Sequence, residues 1–266
     1  MRNITKLVVA LLMLEASATV GVPVASVAAA EGSAEKAKIA FAGDSIVDNY
    51  WSGVTKRLST NPCLKSDLEL GRFAKNGTGL ARGDFFYWPR EIRRIVQVFN
   101  PNVVVLSVGL NDQQFIVDGS GHRTAWGAPD WAAKYRAEID IFLKNAASGN
   151  AAVLIVGLPV MRPTAENTDI EQKNAMFAAA VEALANANVE YVPPWKLDPS
   201  AEIDRYASYG RDKNGRLVQI RTPDGEHFTP AGEDLVAEYL FPKIIAAAAG
   251  KKSGLERCLA PQASAH

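Results

Sequence analysis

Four short polar segments of the chain combine residue types that could act together on an ester bond. They are residues 43–45, 76–79, 109–112 and 224–227. Ser45, in Gly-Asp-Ser, offers a hydroxyl nucleophile, and His227 is a base that could take the proton from it. Asp224 could fix the imidazole tautomer through the other ring nitrogen. Each residue also has a simpler explanation, because a serine after an aspartate often belongs to a helix cap and a histidine can pack beside a helix start.

The two middle segments could supply hydrogen-bond donors to one point. Gly79, in Asn-Gly-Thr-Gly, has no side chain to keep a ligand from its main-chain amide, and Asn111, in Gly-Leu-Asn-Asp, carries a side-chain amide. Fixed donors of this kind stabilise a developing oxyanion. Either segment could equally be an ordinary turn. A phosphate-binding loop is not indicated, because Leu-Ala-Arg follows Gly79 where such a loop requires Gly-Lys-Ser or Gly-Lys-Thr.

From residue 38 onward, short apolar runs alternate with longer stretches of helical periodicity. Strands are predicted at 39–42, 68–74, 103–106, 153–156 and 189–192, and helices at 49–59, 88–99, 129–146, 168–187 and 230–248. This order predicts an α/β protein, a three-layer αβα sandwich with a five-stranded, mainly parallel, flavodoxin-like sheet. Asn214-Gly215, within 195–223, predicts a small inserted β-hairpin. Functional groups gather at the carboxyl ends of such strands, and three of the polar segments follow a predicted strand.

The first 30 residues have the layout of a secretory signal peptide. Arg2 and Lys6 precede the apolar run 7–14, and Ala28-Ala29-Ala30 offers small residues for cleavage. The run is shorter than the roughly 20 residues that span a bilayer, so a retained anchor is the weaker alternative. We expect a periplasmic or secreted protein with no stable membrane insertion after cleavage. One domain is expected over 31–255 and a C-terminal tail over 256–266.

The charge balance and the few cysteine and histidine residues limit which partners and cofactors we expect. The chain carries 29 basic and 29 acidic residues, and no run of Lys or Arg exceeds two, so no nucleic-acid partner is expected. Cys63 and Cys258 could form one disulfide in an exported protein, or remain two buried thiols. Histidine occurs only at 122, 227 and 266, without a Cys/His cluster. Neither a metal nor an organic cofactor is therefore expected.

In their order along the chain, the four segments resemble the sequence blocks of the SGNH, or GDSL-like, hydrolase superfamily. The run 224–232, Asp-Gly-Glu-His-Phe-Thr-Pro-Ala-Gly, further resembles a bacterial exported branch of that superfamily. The resemblance covers nearly the whole chain after residue 30. One departure is Ile46, where the family name implies Leu, which is a harmless apolar exchange.

The resemblance implies a role for each polar residue. Ser45 would be the nucleophile, His227 the general base and then the acid, and Asp224 its orienting partner. The Ser45 amide, the Gly79 amide and the Asn111 side chain would form the oxyanion hole. Because the glycine block is less easily aligned, Gly77 is the alternative to Gly79.

Together these residues predict a serine esterase that works through an acyl-serine. The expected substrate is a small-molecule or carbohydrate ester, such as an acetyl group on an envelope polysaccharide or peptidoglycan. An O-acetyltransferase using the same acyl-serine and a non-catalytic envelope-binding module are the alternatives. The aromatic residues of 85–88 and 115–131 could wall a pocket or stack on sugar rings, or they could belong to the core.

Overall fold

The described part of the chain comprises residues 35–118, 120–164, 168–201 and 205–258 of a computed structural model. The predicted signal peptide, residues 1–30, lies outside the described residues, and so do residues 259–266 of the predicted tail. From Glu35 onward the chain forms one unit. Within the described ranges, no helix has both the length and the apolar character needed to cross a membrane.

Five strands form the central sheet. In chain order they are β1 Ala37–Gly43, β2 Leu68–Ala74, β3 Val103–Ser107, β6 Ala152–Val156 and β7 Val189–Val192. All neighbours pair in parallel, and the spatial order is β2, β1, β3, β6, β7. This is the flavodoxin-like order, and it confirms the predicted fold class. The chain reverses its direction of winding between β1 and β3, which leaves a crevice at their carboxyl ends.

Helices cover both faces of the sheet. They are α1 Ser45–Ser59, α2 Pro62–Asp67, α3 Trp88–Val98, α4 Trp131–Ala146, α5 Ile170–Leu184 and α6 Pro230–Lys251. The central strand β3 needs a layer of helices on each face, because all five of its residues are buried. Val103 and Val105 face the layer of α1 and α6, whereas Val104 and Leu106 face the layer of α3, α4 and α5. This alternation is the period of a strand buried on both sides.

The start of α1 differs from the prediction of a helix over 49–59. The helix begins at Ser45, because Asp44 is its N-cap in an extended conformation and accepts a 2.9 Å hydrogen bond from the amide of Ile46. The aspartate therefore takes the capping role. Ser45 occupies the first position of the helix, at the carboxyl end of β1.

Two short two-stranded ribbons lie outside the central sheet. The predicted hairpin consists of β8 Tyr209–Arg211 and β9 Leu217–Gln219. The amide of Asp212 donates to the carbonyl of Arg216, so the turn contains three residues instead of the two expected from Asn-Gly, and Gly215 has φ +77°. The second ribbon, β4 Ile116–Val117 with β5 Arg123–Thr124, was not predicted, because strands of two residues show no periodicity.

A disulfide links α2 to the segment that follows α6. Cys63 in α2 is joined to Cys258, with the two Cα atoms 5.6 Å apart. Cys258 ends a short 3-10 helix, Leu255–Cys258, so the first residues of the predicted tail have regular structure. The link closes a loop with a sequence separation of 195 residues.

Replacement of both cysteines should destabilise the fold. We expect Cys63→Ala/Cys258→Ala to lower the free energy of unfolding by about 2–4 kcal/mol, because the unfolded chain is no longer constrained. Urea unfolding of the variant and of the wild type without reductant measures the difference. Wild type unfolded with reductant is the matched control, and an unchanged midpoint in both comparisons would contradict the prediction.

Candidate active site

The structure brings together the three residues that carry the candidate chemistry. His227 Nε2 lies 2.7 Å from Ser45 Oγ, and His227 Nδ1 lies 3.0 Å from Asp224 Oδ2. Ser45 is 8% exposed, whereas the side chains of His227 and Asp224 are 31% and 45% exposed. The imidazole therefore connects a nearly buried hydroxyl to a carboxylate at the surface. With the Nδ1 proton directed to Asp224, Nε2 can accept the proton of Ser45.

Asp224 shapes its own loop as well as orienting the imidazole. Its Oδ1 accepts hydrogen bonds from Thr222 Oγ1 and from the amides of Glu226 and His227, at 2.6, 2.7 and 3.0 Å. The bridge between Arg221 and Phe228 closes the loop. Burial raises the pKa of Asp224, but these hydrogen bonds together with the one from the imidazole outweigh it and hold that pKa well below its usual range. The carboxylate is thus ionised at any pH at which His227 could act as a base.

Asp44 connects the loop after β1 to the loop after β3. While Oδ1 caps α1, Oδ2 accepts hydrogen bonds from the amides of Gly109 and Leu110, at 2.9 and 3.0 Å. Asp44 is fully buried, and desolvation raises its pKa to about 6 against the lowering effect of these amides. The first and third polar segments are therefore held together through one carboxyl group.

A glycine is required at position 43 because β1 and β3 approach each other closely there. Its φ is +144°, and a Cβ atom at this position would lie 1.8 Å from the carbonyl oxygen of Ser107. The amide of Asp44 donates to that carbonyl at 3.1 Å. The Gly-Asp-Ser segment thus owes its glycine and its aspartate to packing against β3.

The candidate oxyanion donors lie in adjoining loops. Asn111 Nδ2 donates to the carbonyl of Thr78 at 2.9 Å, which ties the third polar segment to the residue before Gly79. A side-chain amide has two N–H bonds, so the one that does not serve Thr78 can serve an oxyanion. Trp88 Nε1 in turn donates to Thr78 Oγ1 at 2.9 Å.

Asp112, for which no role of its own was predicted, organises the glycine block. Its buried carboxylate accepts hydrogen bonds from the amides of Leu80 and Ala81, at 2.8 and 2.9 Å, and from the Tyr135 hydroxyl at 2.8 Å. A Cβ atom on Gly79 would lie 1.9 Å from Asp112 Oδ1. Gly79 is therefore a glycine because the carboxylate occupies the space of a side chain.

Gly79 is favoured over Gly77 by these contacts. Gly77 is exposed, has φ +71°, and has no heavy atom within 4 Å of a Cβ position, as in an ordinary surface turn. Gly79 is buried and follows the residue that Asn111 contacts. The structure brings Asn111 to the residue before Gly79 and leaves Gly77 at the surface.

Lys173 is a buried cation that the sequence did not single out. It is 1% exposed, donates to the carbonyl of Gly109, and lies 3.0 Å from Asp169 Oδ2. A lone lysine within a helical pattern gives no signal of such a contact. Because Gly109 also donates to Asp44, Lys173 supports the same loop from the side of α5.

Comparison with known proteins assigns the family. The family model described as Protein of unknown function (DUF459) matches residues 38–243. The chain belongs to this family. In a search of curated proteins, nothing matches significantly.

Solved structures share the fold of this DUF459 chain. A carbohydrate esterase family 3 protein from Talaromyces cellulolyticus is 16% identical, with 81% of this chain and 100% of that chain covered and a TM-score of 0.56. An acetyl xylan esterase is 20% identical, with coverages of 78% and 99% and a TM-score of 0.53. For the periplasmic domain of a lipopolysaccharide acetyltransferase from Salmonella ser. Paratyphi A, the identity is 15%, the coverages are 79% and 84%, and the TM-score is 0.50.

At these identities the likeness shows the fold alone. The resemblance of the four polar segments to the SGNH, or GDSL-like, superfamily stays a prediction. The finer resemblance of residues 224–232 to an exported branch stays a prediction.

The aromatic residues of the DUF459 chain divide between the core and the surface. Trp88 and Trp131 are buried, and each indole N–H donates to a neighbouring loop, from Trp88 to Thr78 and from Trp131 to the carbonyl of Gln114. Phe85, by contrast, is 65% exposed. The two tryptophans therefore support the loops of the site, and Phe85 is the exposed aromatic residue of the segment 85–88 that remains available to a ligand.

Substitution of the two glycines should separate their roles. We expect Gly79→Ala to lower both stability and ester hydrolysis, because the new methyl group would collide with Asp112. Gly77→Ala, the matched control, should cost only about 1–2 kcal/mol for its left-handed backbone and leave hydrolysis nearly unchanged. Thermal melting and initial rates with p-nitrophenyl acetate measure both effects. Equal loss of activity in the two variants would contradict the assignment of Gly79.

Burial of Asp44 should make stability depend on pH. The native pKa of about 6 lies above the usual 3.8, so the contribution of Asp44 to stability is fully present below pH 3.8 and is lost as the pH rises through about 6. The expected loss is about 3 kcal/mol. Urea unfolding of wild type and Asp44→Asn across this pH range measures it. The stability of wild type relative to the variant should fall as the pH rises, and a constant difference would refute the prediction.

Proposed function

We propose that this chain is a serine esterase that acts through an acyl-Ser45 intermediate. The observation that carries the proposal is the pair of contacts on one imidazole, with Ser45 Oγ at 2.7 Å from Nε2 and Asp224 Oδ2 at 3.0 Å from Nδ1. A nucleophile, a base and an orienting carboxylate within hydrogen-bonding distance are the parts that acyl transfer requires.

In the first step, Ser45 Oγ attacks the ester carbonyl carbon while its proton passes to His227 Nε2. The negative charge collects on the former carbonyl oxygen, where the Ser45 amide, the Gly79 amide and Asn111 Nδ2 donate hydrogen bonds. The tetrahedral intermediate then collapses. The alcohol leaves with the proton from His227, and the acyl group stays on Ser45.

In the second step, water replaces the alcohol. His227 Nε2 takes a proton from the water, whose oxygen attacks the acyl carbon through a second tetrahedral intermediate. Collapse releases the carboxylic acid and returns the proton to Ser45 Oγ. Asp224 stabilises the imidazolium that forms in each step and stays ionised itself, in agreement with its lowered pKa.

For the substrate we propose a small acyl group, such as acetyl, on an envelope carbohydrate or peptidoglycan. The structural neighbours include a carbohydrate esterase family 3 protein and an acetyl xylan esterase, whose fold this chain shares. The exposure of His227 and Asp224 suits an ester group presented by a larger molecule. The near-equal numbers of acidic and basic residues agree with a partner other than nucleic acid.

A periplasmic or secreted location follows from the signal-peptide layout of residues 1–30. The Cys63–Cys258 disulfide supports this location, because such bonds persist in oxidising compartments. The mature protein is proposed to have no stable membrane insertion. N-terminal sequencing of the exported protein tests the cleavage, and an N-terminus at Met1 would contradict it.

An O-acetyltransferase is the second candidate. The fold shared with the periplasmic domain of a lipopolysaccharide acetyltransferase favours it, because the same acyl-serine could pass its acyl group to a sugar hydroxyl instead of water. Partitioning of an acetyl donor between acetate and an oligosaccharide acceptor distinguishes the two activities.

Loss of the Ser45 hydroxyl should abolish hydrolysis. We expect Ser45→Ala to lower kcat/KM for p-nitrophenyl acetate at least about a thousandfold, because no acyl-serine can form. A fluorophosphonate probe should label Ser45 in the wild type and fail to label His227→Ala. Ser148→Ala, which removes an exposed hydroxyl after α4, is the control and should match the wild type. Equal rates for wild type and Ser45→Ala would rule out the nucleophile and favour a non-catalytic binding module.

A further inference from the structure

Arg221 is a buried cation next to the candidate base. It is 4% exposed, and its Nη1 donates to the carbonyl of Glu226 while Nη2 donates to the carbonyl of Val160, both at 2.7 Å. The guanidinium carbon also lies 3.8 Å from the ring centroid of Phe228. Glu226 and Phe228 are the residues on either side of His227. One side chain therefore contacts both neighbours of the imidazole-bearing residue.

The chemistry of the guanidinium explains why such a contact is rigid. A buried charge is costly unless it is paired or hydrogen-bonded, and the planar fork of arginine donates in fixed directions. Here the fork spans two loops, since Val160 follows β6 and Glu226 belongs to the loop before α6. Any shift of either carbonyl would weaken a hydrogen bond to a buried cation. The two loops are thus kept at one distance from each other.

A second contact holds the opposite end of the same loop. The amide of Arg162 donates to the carbonyl of Gly225 at 3.0 Å, and a Cβ atom on Gly225 would lie 2.5 Å from Arg162 Cβ. This contact lies beside Asp224, whereas the contacts of Arg221 flank His227. Removal of the Arg221 guanidinium would leave the contact at the carboxylate end of the loop intact. At the imidazole end it would take away the side-chain contacts to Glu226 and Phe228 and leave the main-chain hydrogen bond from Thr222 to His227.

We propose that Arg221 is a positioning residue that keeps the His227 imidazole in line with Ser45 Oγ. The inference rests on the proposed function, because it assigns a purpose to the 2.7 Å distance between His227 Nε2 and Ser45 Oγ. Arg221 acts through the backbone of Glu226 and the ring of Phe228, and it takes no part in proton transfer. Its loss should therefore slow the chemical step more than it weakens substrate binding.

Kinetics of two variants test the role. Arg221→Met keeps the length of the side chain and removes the fork, and we expect kcat for p-nitrophenyl acetate to fall about tenfold to a hundredfold. KM should stay within about twofold of the wild type. Arg221→Lys keeps the charge and can reach one of the two carbonyls, so it should recover part of the loss. Labelling of Ser45 by a fluorophosphonate should slow in the same order.

A spectroscopic measurement tests the position of the imidazole without turnover. The proton shared by His227 Nδ1 and Asp224 gives a low-field proton NMR signal when the ring is held in place. We expect this signal to broaden or disappear in Arg221→Met and to persist in Arg221→Lys. Where Arg221→Met does not fold, the lysine variant alone decides, since it must still show a lowered kcat.

Ile95→Ala is the matched control for a purely structural effect. Ile95 is buried in the layer of α3, α4 and α5, on the other face of the sheet, so its truncation lowers stability without touching the loop of His227. All proteins are assayed well below their melting temperatures. A wild-type kcat in folded Arg221 variants, or an equal fall of kcat in Ile95→Ala, would overturn the inference. An inactive wild type that keeps the low-field signal would instead count against the proposed function alone.

Discussion

The buried carboxyl group of Asp44 joins the loops that follow β1 and β3, and the arrangement of the site depends on this connection. One oxygen caps α1 and thereby sets Ser45 at the first position of the helix. The other oxygen accepts hydrogen bonds from the amides of Gly109 and Leu110, the two residues before Asn111. The Ser45 hydroxyl, which follows β1, and the Asn111 side-chain amide, which follows β3, are thus fixed at the same edge of the sheet. The crevice between β1 and β3 is where this sheet order leaves room for a ligand.

Buried charged side chains also hold the other loops around the site. Loops at the end of a sheet have main-chain groups without strand partners, and burial of such groups is costly unless they are hydrogen-bonded. Asp44 and Asp112 accept from loop amides, whereas Lys173 and Arg221 donate to loop carbonyls. These charged side chains are all buried, so each contact is strong and directional. The irregular backbone around the site is therefore held by buried hydrogen bonds, which suits a site that needs pre-positioned donors.

Several elements could be predicted from local sequence and others could not. The inner strands β1, β3 and β6 are mainly apolar runs, because helices cover both of their faces. The edge strands β2 and β7 also carry exposed charged residues, such as Glu69 and Glu190. The start of α1 was predicted four residues late, although the cap is local: Asp44 Oδ1 accepts from the amide of Ile46, two residues along the chain. The ribbon of β4 and β5 and the helix α2 are too short to show a period. No individual role was predicted for Asp112 or Lys173, because the main-chain groups that they bind belong to distant loops.

The sequence by itself determined the residue types, their order along the chain and the strands they follow, because these depend on local composition and periodicity. It could name Ser45, Asp224 and His227 and could leave Gly77 and Gly79 as alternatives. Only the tertiary structure decided that His227 Nε2 lies 2.7 Å from Ser45 Oγ across a separation of 182 residues, and that Gly79 is the glycine packed against Asp112. Distances of this kind arise from strand order and loop packing, and no local pattern along the chain encodes them.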